Sequence, residues 1–270
     1  MSFSIAGKTA IVTGAANGVG LAIARHFADH EANVMFADMD DARLQKEVGE
    51  RAAQDGSNVR YFAGDLREKL TIANLLSATI DAFDEVDILI NASRQMTTSD
   101  PLNPDDDAVT MLLDQNLIAN LRLIQVVAKR MIKQAESDGR EAATVGSIVN
   151  LSSIAARRTH PELLAYSVSC AALDQMTRSM AVALAPHRIR VNAVAFGSVM
   201  SASLKDALKE DESHRDEIIR HTPLGRIASA GEVAEATQFL ASEGSGFMTG
   251  QIVTVDGGRT LVDTVGTPVH

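Results

Sequence analysis

The stretch TGAANGVG, from Thr13 to Gly20, decides the fold of this 270-residue chain. An apolar, β-branched run, TAIVT, leads into it, and a helical pattern, LAIARHFAD, follows it. Its glycines at positions 14, 18 and 20 permit a tight turn, a close approach of the backbone to a pyrophosphate, and close packing of helix on strand. The free N–H groups at the helix N-terminus would then face the phosphates. This strand–turn–helix pattern predicts a dinucleotide-binding unit.

Further short apolar runs alternate with segments long enough to be helices. Seven runs are predicted as strands: Thr9–Thr13, Asn33–Ala37, Val59–Ala63, Asp87–Ile90, Ser147–Leu151, Arg190–Ala193 and Gln251–Val255. The alternation predicts βαβ units and hence a parallel sheet with helices on both faces. With right-handed crossovers, the chain is predicted to form a Rossmann-like, doubly wound α/β fold in three layers. Its ligand crevice would lie at the carboxyl ends of the strands.

No linker rich in proline, glycine or serine divides the chain, so residues 1–270 are predicted to form one domain. Long helices are expected at about 105–134 and 163–184, and a polar surface turn at 135–144. A late helix should begin near Ala230, because Ser229 and Glu232 have the spacing of a capping box. The irregular segment at about 198–221 lies after the sixth strand and is predicted to act as a substrate lid.

The composition excludes several classes of protein. A net charge of −10 and an isoelectric point near 5.1 argue against a general binder of nucleic acid or of anionic membranes. There is no apolar run of about 18 residues that could span a bilayer, and the start lacks the pattern of a secretory signal. The single cysteine fits a reducing cytoplasm. The scattered histidines give no support for a metal site.

Asp38 ends the second predicted strand, roughly 20 residues after the glycine-rich turn, where an acidic group should meet the adenosine ribose. Its carboxylate would accept hydrogen bonds from the ribose hydroxyls and repel a 2′-phosphate. No arginine or lysine lies at positions 15–17 or directly after Asp38 to neutralise such a phosphate. The sequence therefore favours NAD(H) over NADP(H). The competing interpretation, a helix N-cap, suits Asp40 or Asp41 better than Asp38.

Together with later motifs, the glycine-rich turn resembles the cofactor loop of the short-chain dehydrogenase/reductase family, T-G-x-x-x-G-x-G. The resemblance extends over nearly the whole chain. Asp65 and Leu66, in GDL, resemble the family's adenine-pocket strand end, and Pro223–Gly258 follows the family's closing segment. The resemblance implies a set of cofactor-binding positions. They are Gly14, Asn17, Gly18, Val19, Gly20, Asp38, Asp65, Leu66, Asn91, Ala92, Ser93, Gly197, Val199 and Ser201.

The resemblance also implies a catalytic site. Ser153 and Tyr166, thirteen residues apart, match the family's catalytic serine and tyrosine, and Asn116 matches a helix asparagine that holds a water in the proton relay. Tyr166 would exchange a proton with the substrate oxygen while Ser153 stabilises its developing charge. The implied activity is an NAD(H)-dependent interconversion of a small-molecule carbonyl and a secondary alcohol. A homo-oligomer, a tetramer, is implied as well.

Two departures from the family pattern fall at the predicted cofactor crevice. The fourth strand ends in Asn91–Arg94 (NASR) where the family has N-N-A-G, so a long cationic side chain replaces a glycine. After the sixth strand, Phe196 and Gly197 stand where P-G is usual. Ser201 still offers a hydroxyl where the family often has a threonine near the carboxamide.

The third departure concerns the catalytic lysine, because the usual Y-x-x-x-K ends here in Cys170. A free tyrosine titrates near pH 10, so Tyr166 needs help to act as a base at neutral pH. An ammonium about 4 Å away would supply ~1–4 kcal/mol, and a neutral thiol supplies none of this. Carbonyl reduction should suffer less than alcohol oxidation. Arg94, Arg157 or Arg158 could replace the charge, although an arginine cannot relay protons.

Two functions of different classes remain open on the sequence alone. The first is the oxidoreductase, with Ser153 and Tyr166 handling protons and with Cys170 as a buried packing residue beneath them. The second is a catalytically impaired or silent relative that binds nucleotide or serves as a structural subunit. The retained hydroxyls favour the first hypothesis, and three departures around one crevice favour the second.

Overall fold

The computed structural model describes residues 3–137, 144–200, 204, 208 and 213–263. Its strands are β1 (Thr9–Thr13), β2 (Asn33–Asp38), β3 (Val59–Ala63), β4 (Ile88–Asn91), β5 (Gly146–Ser153), β6 (Ile189–Phe196) and β7 (Ile252–Val255). All neighbouring strands pair in parallel, in the order β3-β2-β1-β4-β5-β6-β7. The predicted doubly wound, seven-stranded fold is confirmed.

Helices cover both faces of this sheet. They are α1 (Gly18–Asp29), α2 (Asp41–Ala52), α3 (Lys69–Phe83), α4 (Ala108–Leu113), α5 (Ala119–Ser137), α6 (Leu164–Leu184), α7 (Ser213–Arg220) and α8 (Ala230–Ala241). Side chains alternate along each strand, so Ala10 and Val12 pack into one apolar cluster with α1, α2 and α8. Ile11 packs into the other cluster with α3, α5 and α6. Burial of both faces explains why the strands read as continuous apolar runs.

The two longest strands extend further than their apolar runs predicted. β5 and β6 pair over eight residues each, from Gly146 opposite Ile189 to Ser153 opposite Phe196, and every one of these residues is buried. The sequence prediction ended β5 at Leu151 because Ser152 and Ser153 are polar. Backbone pairing and side-chain hydrogen bonds allow these serines to be buried, and the extension carries Ser153 to the carboxyl edge of the sheet.

The chain reverses its winding direction at β1, which pairs with β2 on one side and β4 on the other. Such a switch point opens a crevice at the carboxyl ends of the two central strands. Thr13 closes the floor of this crevice. Its Oγ1 accepts hydrogen bonds from the backbone N–H groups of Ala92 and Ser93, each 3.0 Å away. The glycine-rich turn is thereby held against the connection that leaves β4.

The helix predictions hold with changed boundaries. The helix expected at about 105–134 begins at Ala108, widens into a π-helical turn at Asp114–Ile118, and ends at Ser137. The helix expected at 163–184 is α6. Residues 138–143 of the predicted surface turn lie outside the described residues. So do residues 201–203, 205–207 and 209–212 of the predicted lid, and α7 occupies its end.

The capping box that was predicted before α8 is confirmed. Ser229 Oγ accepts a hydrogen bond from the Glu232 N–H, and the Glu232 carboxylate accepts one from the Ser229 N–H at 2.8 Å. Among the described helices, none has the length and apolar character needed to cross a membrane.

Candidate active site

The glycine-rich turn is packed too tightly for side chains at two of its positions. Gly14 has φ +66°, and a Cβ there would lie 2.7 Å from the Ala92 carbonyl oxygen. A Cβ on Gly20 would lie 2.2 Å from the Gly14 carbonyl oxygen. Asn17 precedes α1 in an extended conformation and makes no side-chain cap hydrogen bond within the described chain. The N-terminal N–H groups of α1, which include that of Val19, therefore face the crevice without a side-chain cap, as an anion site requires.

Asp38 joins the glycine-rich turn to the end of β2. Its Oδ2 accepts a hydrogen bond from the Ala16 N–H at 3.0 Å, and its Oδ1 accepts one from the Asp40 N–H at 3.1 Å. A carboxylate oxygen can accept more than one hydrogen bond, so both oxygens keep acceptor capacity for a ribose. Asp40, in contrast, is the N-cap of α2 and accepts from the Arg43 N–H.

Asp65 follows β3 and is held by the neighbouring Arg67. The Arg67 guanidinium donates to both carboxylate oxygens, with Nε 3.0 Å from each. This hydrogen-bonded pair lowers the pKa of the Asp65 carboxyl below its usual value. Leu66 is buried beside it in the cluster that contains α3. Asp65 is thus a charged, oriented acceptor at the edge of the sheet.

The residues that end β4 form the wall of the crevice. Asn91 is buried, and its Nδ2 donates to the side chain of Asn150 at 2.8 Å, which links β4 to β5. The backbones of Ala92 and Ser93 are bound to Thr13, and Gln115 Nε2 lies 3.3 Å from the Ser93 hydroxyl. Of these residues, Asn91 lies within the sheet, whereas Ala92 and Ser93 border the crevice.

Arg94 reaches across the carboxyl edge of the sheet to Tyr166. Its Nη1 donates a hydrogen bond to the Tyr166 hydroxyl and another to the Ser152 carbonyl oxygen, 3.3 Å away. Its guanidinium carbon lies 4.2 Å from the centroid of the Phe196 ring, within the range of a cation–π contact. One side chain therefore joins the β4–α4 connection, the ends of β5 and β6, and α6.

Tyr166 lies in the first turns of α6 with only 3% of its surface exposed. Its hydroxyl faces the Ser153 hydroxyl, the Cys170 thiol and the Arg94 guanidinium. Burial raises the pKa of Tyr166 above its usual value, and Cys170 adds to this, while Arg94 and Ser153 act in the opposite direction. Burial also raises the pKa of the Cys170 thiol. Both groups are therefore neutral at pH 7.

Cys170 lies one turn after Tyr166 on α6 and is itself buried. It packs in a small apolar cluster with Ala108 and Leu112 of α4 and with Ala155 of the connection after β5. These neighbours contribute no charge. Asp174, one turn further along α6, bonds to the Ser152 hydroxyl at 2.6 Å and has a pKa raised by burial.

Asn116 lies in the π-helical turn, and its polar groups form hydrogen bonds with other residues of the chain. Its side chain makes two hydrogen bonds to the backbone of Gln95, at 2.8 and 2.9 Å, and donates to the Ser169 hydroxyl at 3.1 Å. The backbone carbonyl oxygen of Asn116 accepts a hydrogen bond from Asn120 Nδ2 at 2.8 Å. Asn116 therefore anchors the loop residue next to Arg94, a contact that the sequence did not predict.

The two other candidate arginines bind elsewhere. Arg157 Nη1 donates to the hydroxyl of Thr254 in β7 at 3.1 Å, and Arg158 donates to the Thr260 carbonyl oxygen. Arg157 therefore ties the connection after β5 to β7, and Arg158 ties it to the turn that follows β7. Within the described chain, Arg94 is the candidate that contacts Tyr166.

The segment that follows β6 packs against Ile154 and pairs with Ala228. A Cβ on Gly197 would lie 2.2 Å from Ile154 Cδ1, and Val199 forms a parallel bridge with Ala228. Arg259 Nη1 donates to the Ser198 hydroxyl at 2.5 Å. The predicted contact Ser201 lies outside the described residues. The described residues contain no group of three or more His, Cys, Asp and Glu that could hold a metal ion.

Comparison with known proteins identifies the family. A family model described as enoyl-(acyl carrier protein) reductase matches residues 14–260. The 3-oxoacyl-[acyl-carrier-protein] reductase FabG of Chlamydia muridarum is 30% identical over 266 residues, covering 96% of this chain and 99% of that protein. The chain belongs to the short-chain dehydrogenase/reductase family.

Other members of this family show similar coverage. Oxidoreductase UcpA of Salmonella typhimurium is 32% identical over 98% of this chain and 99% of its own length. L-fucose dehydrogenase of Mus musculus is 30% identical over 94% of this chain and 89% of its own. A gluconate 5-dehydrogenase from Burkholderia cenocepacia, solved with NADP and tartrate, superposes with a TM-score of 0.84. It is 27% identical, over 97% of this chain and 98% of that one.

For this short-chain dehydrogenase/reductase, the structure distinguishes among three arginines that the sequence left as alternatives, because Arg94 is the one that contacts Tyr166. The replacement of a glycine by Arg94 was visible as a departure from the family pattern. Its contact with Tyr166, 72 residues away, depends on how the side chain crosses the ends of β5 and β6. The signals available in the sequence were a cationic residue, Arg94, after β4 and an aromatic residue, Phe196, at the end of β6.

Proposed function

We propose that this protein is an NAD(H)-dependent oxidoreductase that interconverts a carbonyl and a secondary alcohol. The observation that carries the proposal is the convergence of the Ser153 and Tyr166 hydroxyls at the carboxyl edge of the sheet, next to the switch-point crevice. Membership of an oxidoreductase family supports the same reaction class.

The crevice fits the two ends of a dinucleotide. The turn at Gly14–Gly20 and the N-terminus of α1 would hold the pyrophosphate, and Asp38 would accept hydrogen bonds from the adenosine ribose. The preference for NAD(H) rests on Asp38 and on the absence of an arginine or lysine at positions 15–17 and directly after Asp38. A structural relative was solved with NADP, so the comparisons do not support this preference. When bound, the cofactor supplies or accepts a hydride.

The chain itself handles the proton. Neutral Tyr166 donates its proton to a carbonyl oxygen, and Ser153 hydrogen-bonds that oxygen as negative charge develops. Cys170 takes the place of the lysine in the family pattern and contributes packing rather than charge. Because Tyr166 is neutral at pH 7, carbonyl reduction is the direction that this site favours.

Binding of the cofactor is the first test. Titration with NADH and with NADPH, followed by thermal shift, should raise the melting temperature, and NADH should act at the lower concentration. Absence of any shift at millimolar concentrations of either cofactor would refute the proposal. An equal response to the two cofactors would refute only the role of Asp38.

Turnover is the second test. A panel of 3-oxoacyl thioesters, keto forms of sugars and sugar acids, and simple ketones covers the substrates suggested by the relatives' names. At least one should be reduced by the wild type, and Tyr166→Phe should abolish that rate while leaving the NADH-induced thermal shift intact. A silent wild type that becomes active as Cys170→Lys would instead support the catalytically silent relative.

A further inference from the structure

Arg94 is placed to act on the reacting atom of the proposed site. Its guanidinium has three anchors: the Tyr166 hydroxyl, the Ser152 carbonyl oxygen and the face of the Phe196 ring. The backbone that carries it is fixed as well, because Asn116 makes two hydrogen bonds to the next residue, Gln95. Such a set of contacts holds the charge in place rather than leaving it on a solvated side chain.

The direction of the hydrogen bond defines what the contact can do. A guanidinium has donors only, so Arg94 Nη1 donates and the Tyr166 oxygen accepts. The Tyr166 proton is therefore directed away from Arg94 and remains available for a substrate oxygen. After that proton has left, the phenolate oxygen is in direct contact with a positive charge.

We propose that Arg94 is the electrostatic partner of Tyr166 and replaces the charge, but not the proton relay, that the family pattern assigns to a lysine. The inference rests on the proposed function for its catalytic consequence. The contact itself lies within the chain, so it can be tested without added cofactor.

In carbonyl reduction at this site, the hydride and the proton would reach the substrate from different groups. A bound reduced nicotinamide would supply the hydride to the carbonyl carbon and become oxidised, and the carbonyl oxygen would take the proton of Tyr166. The resulting phenolate is stabilised by Arg94 and then regains a proton from solvent. A guanidinium has donors only and does not relay protons, so Arg94 supplies charge to this step and no proton.

The groups that face the Tyr166 hydroxyl are few. Arg94 comes from the β4–α4 connection, Ser153 from the end of β5, and Cys170 from α6, while α4 contributes the apolar Ala108 and Leu112. Arg94 is thus the group among these described neighbours that carries a permanent charge. Removal of that charge should appear in the titration of Tyr166.

The composition of the chain allows the titration of Tyr166 to be followed without overlapping signals from many other aromatic residues. There are two tyrosines, Tyr61 and Tyr166, and no tryptophan. In a Tyr61→Phe background, the ultraviolet absorbance of tyrosinate reports Tyr166 alone. Incorporation of fluorotyrosine, whose phenol ionises at lower pH, keeps the midpoint within the range in which the protein is folded.

In this background, Arg94→Gln should raise the midpoint of Tyr166 by about 1 pH unit or more, because a charge in contact is lost. Arg94→Lys should leave it within about half a unit. The matched control is Arg157→Gln, which removes an arginine bound to Thr254 and should not move the midpoint. An unchanged midpoint in Arg94→Gln would overturn the proposal, whatever the protein binds.

Kinetics with any substrate found above gives the second readout. Arg94→Gln should lower kcat for carbonyl reduction roughly 10- to 100-fold, with Arg94→Lys in between. The double variant Arg94→Gly with Cys170→Lys restores the family's glycine and lysine at these two positions and should recover most of the lost rate. A shifted titration without any loss of kcat would limit Arg94 to a structural contact and reject its catalytic part.

Discussion

The buried hydroxyl of Tyr166 lies against the positive charge of Arg94, and this arrangement predicts how the rate of each reaction direction depends on pH. Its pKa lies above its usual value because burial outweighs Arg94. Reduction uses the protonated form, which predominates from pH 6 to about 9, so its kcat should be nearly flat there. Oxidation uses the phenolate, so its rate should rise about tenfold per pH unit over the same range.

The two profiles are measured as initial rates with NADH and a carbonyl, and with NAD⁺ and the matching alcohol. A plateau in the oxidation rate near neutral pH would show that another group, with a lower pKa, acts as the base.

Gly14 shows how one residue joins the turn to β4. Alanine at this position would combine an unfavourable positive φ with a contact of 2.7 Å to the Ala92 carbonyl oxygen. Gly56 has a similar φ of +72°, and a Cβ there would meet no atom within 4 Å. We expect Gly56→Ala to cost about 1–2 kcal/mol from φ alone, and Gly14→Ala roughly 3–4 kcal/mol.

Urea unfolding of the two variants measures the difference, and cofactor titration adds a second distinction. Gly14→Ala should displace Ala92 and weaken NADH binding, whereas Gly56→Ala should bind normally. Equal destabilisation in both variants would mean that the turn can move away from β4 at little cost.

At the scale of elements, the start of α8 depends on the Glu232 carboxylate. It accepts hydrogen bonds from the Ser229 N–H and from two nitrogens of Arg226, at 2.8 and 2.6 Å. These contacts lower the pKa of Glu232 to about 2. Since the pair is exposed and screened by water, we expect Glu232→Gln to cost only about 0.5–1 kcal/mol at pH 7.

The pH dependence has a definite sign, because the folded pKa of Glu232 lies below the unfolded value of 4.5. The carboxylate contributes its stability above about pH 4.5 and loses it as the pH falls from there to about 2. The difference in unfolding free energy between the wild type and Glu232→Gln should therefore shrink between pH 5 and pH 3. A constant difference over that range would contradict the assignment.

Much of the fold could be predicted at this scale, for a physical reason. A strand buried on both faces needs continuous apolar residues, and a capping box needs fixed spacing. Both features can therefore be predicted from a short stretch of neighbouring residues. The π-helical turn at Asp114–Ile118 is different. It lies inside one helical pattern, and its hydrogen bonds from Asn116 to Gln95 and Ser169 become available only after tertiary packing.

The candidate site likewise contains some features that the sequence predicts and others that depend on tertiary packing. Ser153 and Tyr166 could be proposed from their resemblance to the family pattern, and the glycines of the turn from their order between a strand and a helix. The contact of Arg94 with Tyr166, and those of Arg157 and Arg158 with the C-terminal strand region, depend on side-chain directions at the edge of the sheet. Three arginines that looked equivalent in the sequence therefore have different partners.

At the scale of the whole molecule, the outer face of α6 predicts self-association. Val168 and Val182 lie about four turns apart on this face and are 40% and 77% exposed. Together with the exposed Leu164, they place three large apolar side chains on this face, beside the exposed polar Gln175 and Arg178. We expect a homotetramer in sedimentation velocity, with Val182→Asp shifting it toward smaller species.

The matched control for this variant is Leu70→Asp on α3, which removes a similarly exposed apolar side chain at 72% exposure. It should leave the assembly unchanged. A wild type that sediments as a monomer at micromolar concentration would refute the prediction.

The position of β1 between β2 and β4 has a consequence for how the chain is made. A ribosome releases β1 and β2 well before β4, which begins at Ile88. At about 5–20 residues per second, one edge of the central strand therefore stays unpaired for several seconds of synthesis. An open edge of an apolar strand is a template for wrong pairing. The crevice at the ends of β1 and β4 forms only when that edge is closed, so a nascent chain acquires its nucleotide-binding crevice only after β4 has been synthesised.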